Sequence, residues 1–195
     1  MSKVNDTRTN ILNAAQDMVQ RQSISGVSFQ ELAKRVGIKK GSLYYHFESK
    51  DALAIAMLER VTTEMKDSFK RGEGKSPSDR LNYFLNIYLN HIVPSKKLCP
   101  GGAFAGEWDK LSEPVQTQVK RLIEAQVIGI QNIIGEGFRN GAFIQHGKGI
   151  EELAQWVLAC VQGALITSRV SGSKSSFEST LEIINQYLGG TKKVE

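Results

Sequence analysis

The chain of 195 residues is poor in most of what a catalytic or secreted protein needs. It has two cysteines, Cys99 and Cys160, too few for a disulfide framework, so a reducing compartment is the simplest expectation. Its three histidines, His46, His91 and His146, stand far apart, with no H-x-x-x-H or C-x-x-C spacing of the kind a metal site uses. There is no G-x-S-x-G and no G-x-x-x-x-G-K-[ST], so neither a hydrolase elbow nor a phosphate-binding loop is written in the chain. Glu107, Asp109 and Glu113 form a small acidic group that reads as a solvated helix end. No enzyme and no cofactor are expected. The first ten residues, MSKVNDTRTN, lack an apolar run, so no secretory signal is expected. The longest uncharged apolar stretch, Leu153 to Ser168, is too short and too polar for a comfortable membrane span. The expectation is a cytoplasmic protein with no membrane partner.

What is present is apolar residues at helical spacing, 41% of the chain by composition. Ile11, Leu12, Ala15, Met18 and Val19 make one stripe, with Thr7 placed to cap its start and "SISG" at 23–26 to break it. Phe29, Leu32, Ala33 and Val36 make a second, bounded by the S-x-x-E capping box of Ser28 and Glu31 and by Gly37. A third short helix has Leu43 and Phe47 turned inward. Ser49 caps a fourth, 49–71. Later stripes predict helices near 81–92, 102–110, 112–138, 149–170 and 175–188, the last closed by Gly189-Gly190. No strand is predicted. The fold expected is all-α, about nine helices in a bundle arrangement.

The helix at 149–170 is apolar nearly all round. One face carries Ile150, Leu153, Ala154, Val157, Leu158, Val161 and Leu165; the other carries Trp156, Ala159, Cys160, Gly163 and Thr167. Such a helix must be covered on both sides. It is either a central core helix or one that meets its counterpart in a second copy of the chain.

Charge is uneven. Residues 1–50 carry eight Lys or Arg against four Asp or Glu, the remainder seventeen against sixteen. A basic end on a nearly neutral body fits a polyanion partner, although a solvated surface carries the same imbalance. The basic residues gather at 28–50, where helix, glycine turn and helix follow at the spacing of a helix-turn-helix. In "GIKKGSLYYHFESK", Lys39 and Lys40 open the second helix. Gly41 lets backbone approach a duplex, and Ser42 can bond a base edge. Tyr44, Tyr45 and His46 add donors and ring faces, and Lys50 stands at a helix start that attracts phosphate. Leu43 and Phe47 read as core; one tyrosine could join them, and His46 could pack or cap instead. The rival readings are a helical small-molecule carrier or enzyme with a basic face, and a module whose helix-turn-helix contacts protein.

The stretch "SFQELAKRVGIKKGSLYYHFESKDAL", residues 28–53, closely resembles the DNA-binding signature of the TetR family of bacterial transcriptional regulators. The helix before it and the "GVSF" entry resemble that family too. The resemblance implies an N-terminal three-helix DNA-binding domain over 1–48, with helix 4 (49–71) as connector, and a ligand-binding and dimerisation domain over 49–195. It implies a homodimer joined through the helices near 149–170 and 175–188. That dimer would be a repressor, or an activator of the same fold, on a palindromic operator of double-stranded DNA, with a small-molecule or electrophile effector. Carried over residue by residue, Ser28 and Lys50 would touch phosphate. Lys39, Lys40, Gly41 and Ser42 would face bases or flanking phosphates, and Tyr44, Tyr45 and His46 would reach phosphates or thymine methyls.

One departure stands out: many members have Ser or Thr where this chain has Lys39. A lysine offers no oxygen to cap a helix, and its charge opposes the dipole there. In the second domain Tyr83, Tyr88, Phe104, Trp108 and Trp156 are candidate pocket aromatics, or ordinary core. Cys99 follows two lysines at a helix start, where positive charge and the helix dipole lower a thiol pKa; since some members of the family sense electrophiles or oxidants through a cysteine, the resemblance makes Cys99 a candidate effector-site residue and sensor, or else a small residue packed beneath the loop.

Overall fold

The computed structural model describes residues 3–93 and 96–189, the side chains of 3–5 and 91 excepted. Among them are nine α-helices and no strand: α1 (Lys3–Gln22), α2 (Phe29–Val36), α3 (Lys40–His46), α4 (Lys50–Arg71), α5 (Pro77–Ile87), α6 (Pro100–Ala105), α7 (Glu113–Arg139), α8 (Ile150–Ser171) and α9 (Ser175–Gly189). A π-helical turn, Tyr88–Ile92, follows α5, and a 3₁₀ turn, Trp108–Lys110, follows α6. The expected all-α architecture is thus what forms.

Some boundaries moved, for local reasons. Thr7 does not start α1, which begins at Lys3 with Asp6 in its first turn. The helix expected from 81 starts at Pro77, because Ser76 Oγ accepts the Asp79 N–H at 3.1 Å and proline suits the first helical position. The helix expected over 102–110 is instead α6, opened by Pro100, plus the 3₁₀ turn. Gly190 lies outside the described residues.

The chain divides into two compact units. Unit 1 takes the residues up to Thr63 together with Cys99–Ile123; unit 2 takes Glu64–Leu98 and the residues from Glu124 on. This division differs from a cut after residue 48 in two places. The first half of α4 belongs to unit 1, since Arg60 donates to Asn13 Oδ1 at 2.8 Å and to Gln16 Oε1 at 2.7 Å on α1. The segment with α6 belongs to it as well, packed against α1. Helices α4 and α7 are continuous through the division.

In unit 1, Ile11, Ala15, Leu32, Leu43, Leu53 and Leu58 are almost wholly buried. Asp17 on α1 pairs with Arg35 on α2 and with Arg21 one turn along. In unit 2, an aromatic series runs from Phe69, stacked on Phe84 at 5.1 Å, to Tyr88 and Phe177. The glycines of α7 make room for such rings. A Cβ on Gly129 would lie 2.2 Å from the Phe69 ring, and one on Gly137 would lie 2.1 Å from that of Phe143. Alanine in place of helical glycine ordinarily adds about 1 kcal/mol. Here the sign should reverse. Gly137→Ala is expected to lower the thermal midpoint, costing about 1–3 kcal/mol through overpacking, as followed by circular dichroism on heating.

Helices α8 and α9 pack along each other, and Val157, Val161 and Leu165 on one and Phe177, Leu181 and Ile184 on the other are buried. Gly172, in the left-handed region at φ 70°, closes α8 and makes the tight link possible. Running to 171, α8 is long and apolar enough by length and composition to cross a membrane, more than its uncharged stretch suggested. The far side of α8 is uncovered. Ala159, Gly163, Ile166 and Val170 form an exposed stripe at i, i+4, i+7 and i+11, with Ile166 at 55% and Val170 at 84% exposure. Ile183 on α9 is exposed as well.

Candidate nucleic-acid interface

The second helix of the helix-turn-helix is placed by caps. Ser28 Oγ accepts the Glu31 N–H at 3.1 Å and fixes the start of α2. Gly37, at φ 78°, ends it and returns its N–H to Ala33 and Lys34 carbonyls. Three residues later α3 begins, anchored by buried Leu43 and, at its end, by Phe47. Ser49 Oγ then accepts the Ala52 N–H at 3.0 Å and starts α4. Lys39 occupies the N-cap of α3 with no side-chain bond to the helix, as its chemistry requires, and its ammonium stays exposed.

This framework leaves one side of α2, α3 and the start of α4 to polar groups. Ser28, Lys40, Tyr44 and Lys50 line a common recess of about 440 Å³, together with Phe29, Gln30, Glu48 and Ser49. Tyr44 is half exposed. Its ring leans on Phe29 at 5.1 Å, and the Lys40 ammonium sits 5.9 Å from its centre. Lys50 Nζ lies 3.5 Å from the Ile24 carbonyl oxygen. Lys39, Gly41, Ser42, Tyr45 and His46 are outside this recess. Tyr45, 80% exposed, meets the half-buried His46 edge-on at 5.4 Å. A Cβ on Gly41 would meet no atom within 4 Å, so nothing inside the protein requires glycine there.

Three neighbours escaped the sequence reading. Gln30 and Glu48 join the recess because α2 and the α3–α4 link converge on it. Arg8 on α1 places its guanidinium 5.1 Å from the centre of the Phe47 ring, at the end of α3. Its distance in sequence hid that placement.

The candidate pocket residues are divided between the two units. Cys99 and Phe104 are buried in unit 1, and Trp108 is half-buried there beneath the Lys120 ammonium, 5.6 Å from the ring. In unit 2, Tyr88 is buried and donates to Gln126 Oε1 at 3.3 Å; Gln126 is itself wholly buried. Tyr83 is exposed beside Arg71 and Ser68, whose hydrogen bonds hold its phenol below the ordinary range. The Trp156 ring meets that of Tyr187 on α9 at a tilt, 5.0 Å between centres, and the His146 ring meets Tyr187 at a tilt as well, at 4.4 Å. Cys160 is half-buried on α8, where burial pushes its thiol up. Glu107 is no freely solvated helix end: its Oε2 accepts the Ser25 N–H at 2.9 Å.

Comparison with known proteins bears on this geometry. Residues 11–57 match the family described as bacterial regulatory proteins, tetR family. Over 185 residues the chain is 26% identical to the HTH-type transcriptional repressor DhaR of Mycobacterium sp. (strain GP1), covering 93% of this chain and 91% of that one. It is also 26% identical over 183 residues to the HTH-type transcriptional repressor NemR of Escherichia coli (strain K12), covering 90% of each. Its fold matches that of a TetR-family transcriptional regulator from Agrobacterium tumefaciens with a TM-score of 0.90 at 19% identity, over 96% of this chain and 100% of the other.

Proposed function

The chain belongs to the TetR family of bacterial regulatory proteins, and from that premise we propose that it is a homodimeric, effector-controlled transcriptional repressor acting in the cytoplasm. The observation that carries the reading is the recess where Ser28, Lys40, Tyr44 and Lys50 converge on the open side of a helix-turn-helix whose caps are all satisfied by design except at Lys39.

The mechanism follows from helix geometry. Helix α3 enters the major groove, with Lys39, Lys40 and Ser42 toward base edges or flanking phosphates and Gly41 permitting close approach. Tyr44, Tyr45 and His46 reach the sugar–phosphate rim. Ser28 and Lys50, at the starts of α2 and α4, hold phosphates where free N–H groups and the helix dipole favour an anion. With a phosphate present, the charge on Lys50 and the missing cap at Lys39 cease to be penalties. The exposed stripe of α8 and Ile183 of α9 meet their counterparts in a second copy, and an operator with half-sites one turn of duplex apart calls for two α3 helices about 34 Å apart. An effector bound in unit 2 shifts the population between spacings. The buried Tyr88–Gln126 pair, polar within an aromatic surround, is the feature of unit 2 that suits such a ligand. Helices α4 and α7 belong to both units and can carry the shift.

Selection of bound duplexes from a random pool tests the reading. The expected product is a palindrome with half-sites about one helical turn apart, bound with an affinity that falls steeply with salt. Failure to enrich any duplex, or binding indifferent to salt, would sink it. A narrower check uses Tyr44→Phe, which keeps the ring contacts to Phe29 and Lys40 and removes only the hydroxyl. Affinity should fall by about tenfold or more, the worth of one hydrogen bond to a charged group, and equally on specific and random duplexes. Loss confined to the selected sequence would put the hydroxyl on a base instead.

A further inference from the structure

The turn between α1 and α2 is gripped by groups distant in sequence. Ser23 takes a left-handed conformation, φ 64°, without being glycine. Gly26 is so tightly folded that a Cβ would stand 2.6 Å from the Gln22 carbonyl oxygen, and that same Gln22 donates its side-chain amide to the Gly26 carbonyl at 3.0 Å. Between them, the Ser25 N–H donates to Glu107 Oε2 at 2.9 Å, across 82 positions of chain. The Ile24 carbonyl faces Lys50 Nζ at 3.5 Å. Ile24, Ser25, Lys50, Asp51, Lys110 and Val115 line a cavity of about 200 Å³ at this junction. Ser28, the cap of α2, is three residues from Ser25. One carboxylate therefore holds the turn from which Ser28 departs and beside which Lys50 rests.

We propose that Glu107 is a positioning residue for DNA binding: as acceptor for the Ser25 N–H, it fixes the 23–26 turn and with it the phosphate-binding start of α2 and the resting place of Lys50. This rests on the DNA-binding reading above. Glu107 itself touches no nucleic acid. Its segment, 99–123, is packed into unit 1 although it lies far beyond the helix-turn-helix in sequence.

The sign of the effect separates this role from a generic one. Removing a negative charge near a DNA-binding surface strengthens attraction to phosphate. A positioning role predicts the reverse. With a duplex selected by the wild type, Glu107→Ala should bind about ten- to 150-fold more weakly, the scale of one lost hydrogen bond to a charged acceptor. The slope of log affinity against log salt should change by less than about 1, because the contacts of Ser28 and Lys50 are loosened while no cation is removed. Glu107→Gln keeps a carbonyl acceptor and should retain affinity within about twofold. Glu107→Lys, which adds positive charge but accepts nothing, should still bind more weakly. Circular dichroism and the thermal midpoint verify folding, and loss of one exposed bond leaves the folded state dominant.

Equal or tighter binding by Glu107→Ala or Glu107→Lys overturns the proposal, as does Glu107→Gln failing as badly as Glu107→Ala. Wild type and Lys40→Ala, run alongside, show whether the duplex is read at all. If they differ as expected while the Glu107 variants match wild type, only this inference falls. If the wild type enriches no duplex, both fall.

Discussion

Replacing Ile166 with glutamate is expected to leave a folded chain that no longer dimerises and scarcely binds its operator. In the single chain Ile166 is 55% exposed on α8, one step of the stripe that includes Ala159, Gly163 and Val170. A glutamate there faces water, so the thermal midpoint of the monomer should move little. In a symmetric dimer the same position recurs on both copies about a two-fold axis. Two carboxylates would then be desolvated close together, a cost of about 3–5 kcal/mol or more with no partner to offset it. That shifts the dimerisation constant by about two to four orders of magnitude. Each monomer keeps its helix-turn-helix but binds one half-site alone, so the coupling between half-sites vanishes. Sedimentation equilibrium at micromolar concentration reads the first effect and fluorescence anisotropy with the selected duplex reads the second. A wild-type protein that sediments as a monomer, or a variant that remains dimeric, would remove α8 from the interface.

The stripe also shows what kind of structural fact a sequence displays. Its small residues Ala159 and Gly163 were visible as a second face of α8, because a helix apolar all round announces two partners. Ile166 and Val170 complete that face only once the opposite side is seen packed on α9. The helix-turn-helix was more legible. Ser28 and Gly37 act on backbone groups within four residues of themselves, so their chemistry is written locally, and the structure places both as read. The uncapped N-terminus at Lys39 was legible for the same reason. Contacts that close long loops leave no such mark. Nothing near Ser25 calls for a carboxylate at 107, and nothing near Gly129 announces the Phe69 ring that a side chain there would strike. The division into units shares this property. A helix such as α4 reads as one element, yet its first half belongs with α1 through Arg60 and its last turns with Phe84 through Phe69. The aromatics of the second domain were legible as aromatics only. Whether Tyr88 is core or contact depends on Gln126, which lies 38 positions away.

Lys40→Ala should weaken binding to the selected duplex by about 1–3 kcal/mol, roughly five- to 150-fold, the range for a single base-directed contact. The residue opens α3 with an exposed side chain, and its ammonium is 5.9 Å from the centre of the Tyr44 ring in the recess shared with Ser28 and Lys50. No ion pair to Lys40 is formed among the described residues, so its removal breaks no internal contact beyond that weak one. Alanine also has the higher helix propensity and takes a cation away from the positive end of the dipole. The fold should therefore be unharmed or slightly firmer, and any lost affinity belongs to the interface. Two patterns distinguish what Lys40 touches. If it reads a base, the loss falls on the selected sequence and preference relaxes at one position of each half-site, with affinity for random duplex nearly kept. If it holds a phosphate, specific and random duplexes lose alike and the salt slope drops by about 1 per half-site. Gly41 favours the first pattern: the residue after Lys40 has no side chain, and nothing in the protein occupies the space a Cβ would fill, so the backbone at this end of α3 can come close enough to base edges for a lysine to bond them. Affinity unchanged on both duplexes would place Lys40 outside the interface and move the start of α3 away from the groove.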